Sequence, residues 1–189
     1  ANGKTFEDLS DLRKKALEDE ALMKVNALGP LWITESIMPL MTKSVKASNN
    51  RTRNYSTVLF LGSVGGSTSV FPEYRASDLM SKSAVTYLSK HLAAEHIHSN
   101  IDVFCYAPGA TDTEMFRKST LEKCSNPTAF MNSMPKQRLL DPEEIADSIY
   151  ALCTEKWARI FHGGVLDASL GLGTRPGLQT ETTAQRQFM

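Results

Sequence analysis

The sequence predicts an α/β fold built on a parallel sheet, and three observations carry that prediction. Two short apolar runs, Thr57–Leu61 and Ile101–Tyr106, are continuous rather than alternating, and they close on Gly62 and on Pro108-Gly109. Such runs fit strands covered on both faces, as parallel strands are. One segment of helical period lies between them, and strand, helix, strand in that order describes a right-handed parallel crossover. With 189 residues, 41% hydrophobic and 22% charged, the chain is long enough to bury the core of one domain.

From Glu18 to Ala47 the period is helical: Ala27, Leu31, Met38, Met41 and Val45 form one stripe, with Val25, Leu28 and Trp32 beside it. Two stripes predict burial on more than one side. Gly29-Pro30 interrupts this pattern, and proline lacks a backbone donor, so the helix should bend or restart there. Ser48–Ser56 is polar and reads as a loop before the first strand. Ser77–Ile97 reads as a helix with Met80, Ala84, Leu88 and Leu92 on its inner face. Thr111–Arg138 has pattern enough for one or two short helices. The next helix is better marked: Asp141 is a good N-cap, Pro142 suits the first turn, and Glu144 completes a capping box before Ile145, Ile149 and Leu152. Gly163-Gly164 introduces a third short strand, Val165-Leu166. Residues 1–173 read as one domain, and Thr174–Met189, nearly without apolar anchors, as a mobile tail.

Charge and composition narrow the functions. Basic and acidic residues balance at 21 each without long blocks of one sign, which argues against nucleic acid or anionic lipid as a partner and favours small neutral molecules. No apolar run has membrane-spanning length and no signal-peptide pattern opens the chain, so a cytoplasmic location is expected. The thiols Cys105, Cys124 and Cys153 are odd in number without metal-type spacing, in keeping with a reducing compartment. His91, His96, His98 and His162 offer no ligand set, and no metal site is expected.

Several motifs recur in a telling order: Asn26-Ala27-Leu28-Gly29-Pro30, Gly62-Ser63-Val64-Gly65-Gly66, Tyr74 through Ser81-Lys82-Ser83-Ala84-Val85, and Ala107-Pro108-Gly109-Ala110-Thr111-Asp112-Thr113. Leu140–Ala146 and Gly163–Leu166 extend the register. Together they resemble the C-terminal two-thirds of a short-chain dehydrogenase/reductase, and the Asn-Ala-Leu-Gly-Pro stretch is similar to its C-factor-type branch. The resemblance implies a Rossmann-like, doubly wound parallel sheet, here lacking its N-terminal βαβ half. It also implies hydride transfer between NAD or NADP and a small carbonyl or alcohol substrate.

Carried over residue by residue, the resemblance makes Ser63 the serine that orients the substrate oxygen. It makes Lys82 the lysine that grips the cofactor ribose and lowers a phenol's pKa, and Asn26 the asparagine of a proton relay. Pro108, Gly109, Thr111 and Thr113 become the loop that meets the nicotinamide and pyrophosphate. The family's tyrosine does not carry over, because Asp78 stands four residues before Lys82. Two readings stay open. Tyr74 could supply the phenol from an altered helix start, although a regular helix would set it about 12 Å from Lys82 along the axis. Alternatively Asp78 occupies the phenol's place, where a carboxylate, ordinarily ionised near neutral pH, cannot readily donate the proton that carbonyl reduction needs.

Plainer roles stand beside each of these. Ser63 could be a turn residue, Lys82 a solvated helix lysine and Asn26 a side chain satisfied by the backbone. Pro108-Gly109 is at minimum a strand-ending turn, and Thr113 a helix cap. Nothing in the chain matches the family's glycine-rich turn for the dinucleotide. Without the upstream strands, Thr57–Leu61 would be an open sheet edge, prone to pair with another chain. Homo-oligomerisation through the helices at 18–47 and 77–97 is expected from the resemblance. The competing function is a catalytically impaired relative that binds nucleotide or a protein partner.

Overall fold

Three strands, β1 (Ser56–Leu61), β2 (Ile101–Pro108) and β3 (Val165–Ala168), form one parallel sheet in the order β1-β2-β3. The computed structural model describes residues 9–47, 55–72 and 74–174. Val58 sits opposite Val103 and Cys105 opposite Val165. Central β2 is buried from Ile101 through Ala107, which is why its apolar run does not alternate. Val58 and Phe60 pack with Met38, Val85 and Leu92 on one face of the sheet, while Leu59 packs towards Phe104 and Leu152 on the other. Ser56 N–H donates to Asn100 O and Gly62 N–H to Tyr106 O, so even-numbered β1 residues bond to β2. The alternation turns the peptide groups of Thr57, Leu59 and Leu61 to the other edge, which carries no strand among the described residues.

The first helical region differs from its sequence reading. Helix α1 (Leu9–Met23) begins well before Glu18, and α2 (Gly29–Ala47) is joined to it by a π turn, Lys24–Leu28. The chain therefore stays helical across Gly29-Pro30. Gly29 N–H reaches back five residues to Lys24 O, and the widened turn ends immediately before Pro30, whose missing donor would have left an α-type turn incomplete. The extra residue rotates α1 relative to α2, and the second apolar stripe is not buried. Val25 is 72% exposed and Trp32 54%.

Helix α3 (Ala76–Glu95) crosses from β1 to β2 as expected, and of its predicted inner face Leu92 is buried and Leu88 packs against the core, but the face departs from the prediction at Met80. Met80 is exposed, whereas Ser81, Val85, Thr86, Ser89, Leu92 and Ala93 are buried. Hydroxyls make this possible by bonding to their own helix: Ser81 to Asp78 O, Thr86 to Lys82 O and Ser89 to Thr86 O. Helix α4 (Pro142–Thr154) starts as predicted, with Asp141 as N-cap and its N–H donating to Glu144 Oε2 at 2.9 Å. Short helical pieces at Glu114–Phe116 and Pro127–Ser133 occupy the weakly patterned segment. At the N-terminal end of β2, buried Asp102 pairs with Arg159 at 2.8 Å, and His162 Nδ1 accepts the Val103 N–H. Thr174 closes a final short turn, while the rest of the expected tail and residues 48–54 of the expected loop lie outside the described residues.

Candidate functional site

The carboxyl ends of β1 and β2 meet the start of α3, the region where open α/β sheets hold ligands. Leu61 ends β1, and Gly62 comes next because a Cβ there would lie 2.9 Å from both Cys105 Sγ and Ser67 Oγ. Ser63 is in extended backbone, half-buried, at the head of the turn Val64–Ser67. That turn needs Gly66, which has a φ of +85° and would press a Cβ to 2.4 Å from Leu79 O. From α3 the Lys82 side chain reaches back over the strand, with Nζ 3.5 Å from Leu61 O. The ammonium thus stands at the end of β1, two residues from Ser63. Asn26 lies in the π turn, where its Nδ2 donates to Ser81 Oγ at 3.3 Å, beside Lys82 in the sequence of α3. π turns are frequent at functional sites.

The regular helical place one turn before Lys82 holds Asp78, and the phenol candidate Tyr74 stands outside the helix. Helix α3 begins at Ala76 with Arg75 as its extended N-cap, so Tyr74 lies on irregular backbone before it. The Tyr74 ring meets Phe71 edge-on at 6.2 Å, and Phe71 packs with Val64, the neighbour of Ser63. Asp78 is half-buried in the first turn of α3. The ion pairs among the described residues do not join it to Lys82, whose ammonium is turned to Leu61 O instead.

The loop after β2 is held from two sides. Gly109 N–H donates to Ala168 O, and a Cβ on Gly109 would meet Ser169 Cβ at 2.8 Å. Ala110 O accepts from Leu140 N–H, and Asp112 N–H donates to Leu140 O. The Thr111 hydroxyl donates to Gly109 O, and Thr113 Oγ1 caps the short helix by accepting Phe116 N–H. Arg117 grips Asp112 with two bonds of 2.6 Å, and this hydrogen-bonded pairing lowers the Asp112 pKa. Pro108 ends β2 at the same level.

Other organising residues escaped the sequence reading. Thr68 Oγ1 donates to Asp167 Oδ2, Ser69 Oγ to Gly173 O and Ser83 Oγ to Gly66 O, all on the turn after Ser63. Ser67 and Thr86 join hydroxyls beneath it at 2.6 Å. The one signal available for Thr86 was its place four residues after Lys82, one helical turn along α3.

The family profile described as enoyl-(acyl carrier protein) reductase matches residues 6–172, nearly all of the chain. The chain belongs to the short-chain dehydrogenase/reductase family. One relative in this family, ribulose-forming D-arabinitol 2-dehydrogenase of Candida albicans, is 30% identical over 137 residues, 72% of this chain and 46% of its own length. The 3-oxoacyl-(acyl-carrier-protein) reductase FabG of Aquifex aeolicus is 28% identical over 145 residues, 76% of this chain and 52% of its own. Among solved structures, the RhlG/NADP active-site complex of Pseudomonas aeruginosa superposes with a TM-score of 0.69 at 27% identity, covering 82% of this chain and 57% of that one. A 3-ketoacyl-(acyl-carrier-protein) reductase from Brucella melitensis, complexed with NADH, shares the fold with a TM-score of 0.67 at 22% identity, over 90% of this chain and 61% of that one. The chain thus spans about half the length of the curated relatives it matches. Its three strands and their helices are part of the Rossmann-like sheet of short-chain dehydrogenases/reductases.

Proposed function

We propose that this chain forms the substrate and nicotinamide side of an NAD(P)-dependent oxidoreductase acting on a small carbonyl or alcohol. The observation that carries this reading is the approach of Lys82 Nζ to Leu61 O at 3.5 Å, which sets the ammonium at the strand end that leads into Ser63. The donor set suits a nicotinamide riboside: a half-exposed ammonium for ribose hydroxyls, with the Pro108, Gly109, Thr111 and Thr113 loop beside it. The cofactor, when bound, supplies or accepts the hydride. Ser63 would orient the substrate oxygen by hydrogen bonding, and Lys82 would hold the ribose and favour the ionised form of a neighbouring phenol. Asn26 would brace the π turn against Ser81 beside Lys82. Tyr74 is the available phenol, on the loop whose Phe71 packs beside Val64.

Asp78 favours a second reading, an impaired relative that binds nucleotide or a protein partner. It occupies the position one turn before Lys82, where the family keeps its phenol. Exposed apolar residues on α2 and α3, among them Trp32, Leu40, Met80 and Tyr87, suit contact with a second copy under either reading. The Cys105 and Cys153 thiols suit a cytoplasmic setting.

Turnover separates the two readings. The full-length gene product, incubated with NADH or NADPH and a panel of aldehydes and ketones, should oxidise the cofactor, and Tyr74→Phe should abolish that activity. Activity appearing only after Asp78→Tyr would overturn the enzyme reading. Native turnover untouched by Tyr74→Phe would overturn the displaced phenol.

A further inference from the structure

A chain of hydrogen bonds links the backbone of Ser63 to the backbone of Lys82. Thr86 stands one turn beyond Lys82 in α3 and is 7% exposed. Its hydroxyl oxygen is 2.9 Å from Lys82 O and 2.6 Å from Ser67 Oγ. A carbonyl can only accept, so the single Thr86 hydroxyl proton goes to Lys82 O. Ser67 is then the donor to Thr86, and Ser67 Oγ is left to receive the Ser63 N–H, which lies 3.5 Å away. The direction of every bond is thereby assigned, from the Ser63 amide through two hydroxyls to the Lys82 carbonyl.

The surroundings make this chain hard to replace with water. Cys105 Sγ lies 3.6 Å from Thr86 Oγ1 and Cys105 is fully buried, while Gly62 closes the other side so tightly that a Cβ would meet Ser67 Oγ. In such a seam a polar group that loses its partner stays unsatisfied, and serial bonds polarise one another. Ser83 Oγ adds a parallel tie to Gly66 O at 2.7 Å. That hydroxyl is on the exposed side, where water can substitute for it.

We propose that Ser67 and Thr86 are positioning residues that set the separation between Ser63 and Lys82. Neither touches the reacting atoms. The role of this spacing in turnover rests on the oxidoreductase reading, but the spacing itself can be tested without it.

The test compares Thr86→Val, Ser67→Ala and Thr86→Ser by amide hydrogen exchange on the purified protein. Thr86→Val and Ser67→Ala should each speed exchange across residues 63–69 roughly tenfold, the effect of one buried hydrogen bond, with β2 amides unchanged. Thr86→Ser keeps the hydroxyl and should keep the wild-type pattern. In the full-length gene product, Thr86→Val should lower kcat roughly tenfold at unchanged cofactor KM, with Thr86→Ser restoring it. Unchanged exchange at 63–69, or acceleration spread equally through β2, would overturn the proposal, as would an unaltered kcat in Thr86→Val. A wild-type protein that turns over none of the carbonyls overturns the oxidoreductase reading instead, and the exchange result then decides the positioning role by itself.

Discussion

Gly66 illustrates how single residues shape the site. Its φ of +85° is in the left-handed region, and the 2.4 Å between a built Cβ and Leu79 O leaves no space for a methyl group against rigid helix backbone. Gly66→Ala should therefore destabilise the fold by about 1–3 kcal/mol and displace the turn after Ser63. Thermal denaturation of the two proteins checks this, and an unchanged melting temperature would contradict it. Gly109 has an ordinary φ but the same steric demand, with Ser169 at 2.8 Å, so both loops over the sheet end depend on backbone passing close to its neighbours. In the proposed site, the positions legible in the sequence were those with fixed spacing from a glycine or a strand end: Ser63 after Gly62, and Lys82 on the crossover helix. Ser67 and Thr86 could not be read this way, because in a sequence a hydroxyl bonded inside the fold looks like any solvent-facing polar residue.

At the scale of elements, helix α4 shows a local signal carried intact into structure. Asp141, Pro142 and Glu144 are enough to fix its start, because capping depends on a few adjacent residues and on little else. The structure adds Arg138, whose two bonds of 2.6 and 2.7 Å to Glu144, together with the Asp141 N–H, hold the Glu144 pKa down to about 2 from an ordinary 4.5. A carboxylate depressed in the folded state stabilises the fold fully above its unfolded value, and that contribution fades as pH falls from 4.5 towards 2. The melting temperature of the wild type should thus fall more steeply over that window than that of Glu144→Gln, in thermal scans at low salt. Added salt should narrow the difference, since both side chains are more than two-fifths exposed. Helix faces were less legible than helix starts. The π turn inserts one residue, so a stripe continued from Val25 and Leu28 to Trp32 spans two phases and emerges on the surface. In α3, three small hydroxyl residues replace the apolar ones that a periodicity reading seeks on the sheet side.

For the whole molecule, the three strands give β1 a single neighbour, and its peptide groups at Thr57, Leu59 and Leu61 face an edge with no strand among the described residues. The parallel order and the crossover were legible from the continuous apolar runs, although only β2 is buried on both faces, while β1 is buried at Val58 and Phe60 alone and ends on exposed Leu61. What lies against that edge depends on chain pairing that no local pattern encodes. The same holds for the apolar surface of α2, where Trp32 is 54% and Leu40 64% exposed. If that surface joins two copies, Trp32→Glu with Leu40→Glu should lower the sedimentation coefficient to that of a monomer while leaving the circular dichroism spectrum unchanged. An unchanged sedimentation coefficient would place the contact elsewhere.

The central claim is that Lys82 and Ser63 share one nicotinamide-binding site at the carboxyl ends of β1 and β2. NMR of the full-length gene product, with its lysines carrying ¹³C-methyl labels, tests it most directly during titration with NADH. The expected result is a saturable shift of the one resonance that disappears in Lys82→Arg, weakened when Ser67→Ala or Gly66→Ala displaces the neighbouring turn. NADH moving other lysine signals while that of Lys82 stays fixed would contradict the account.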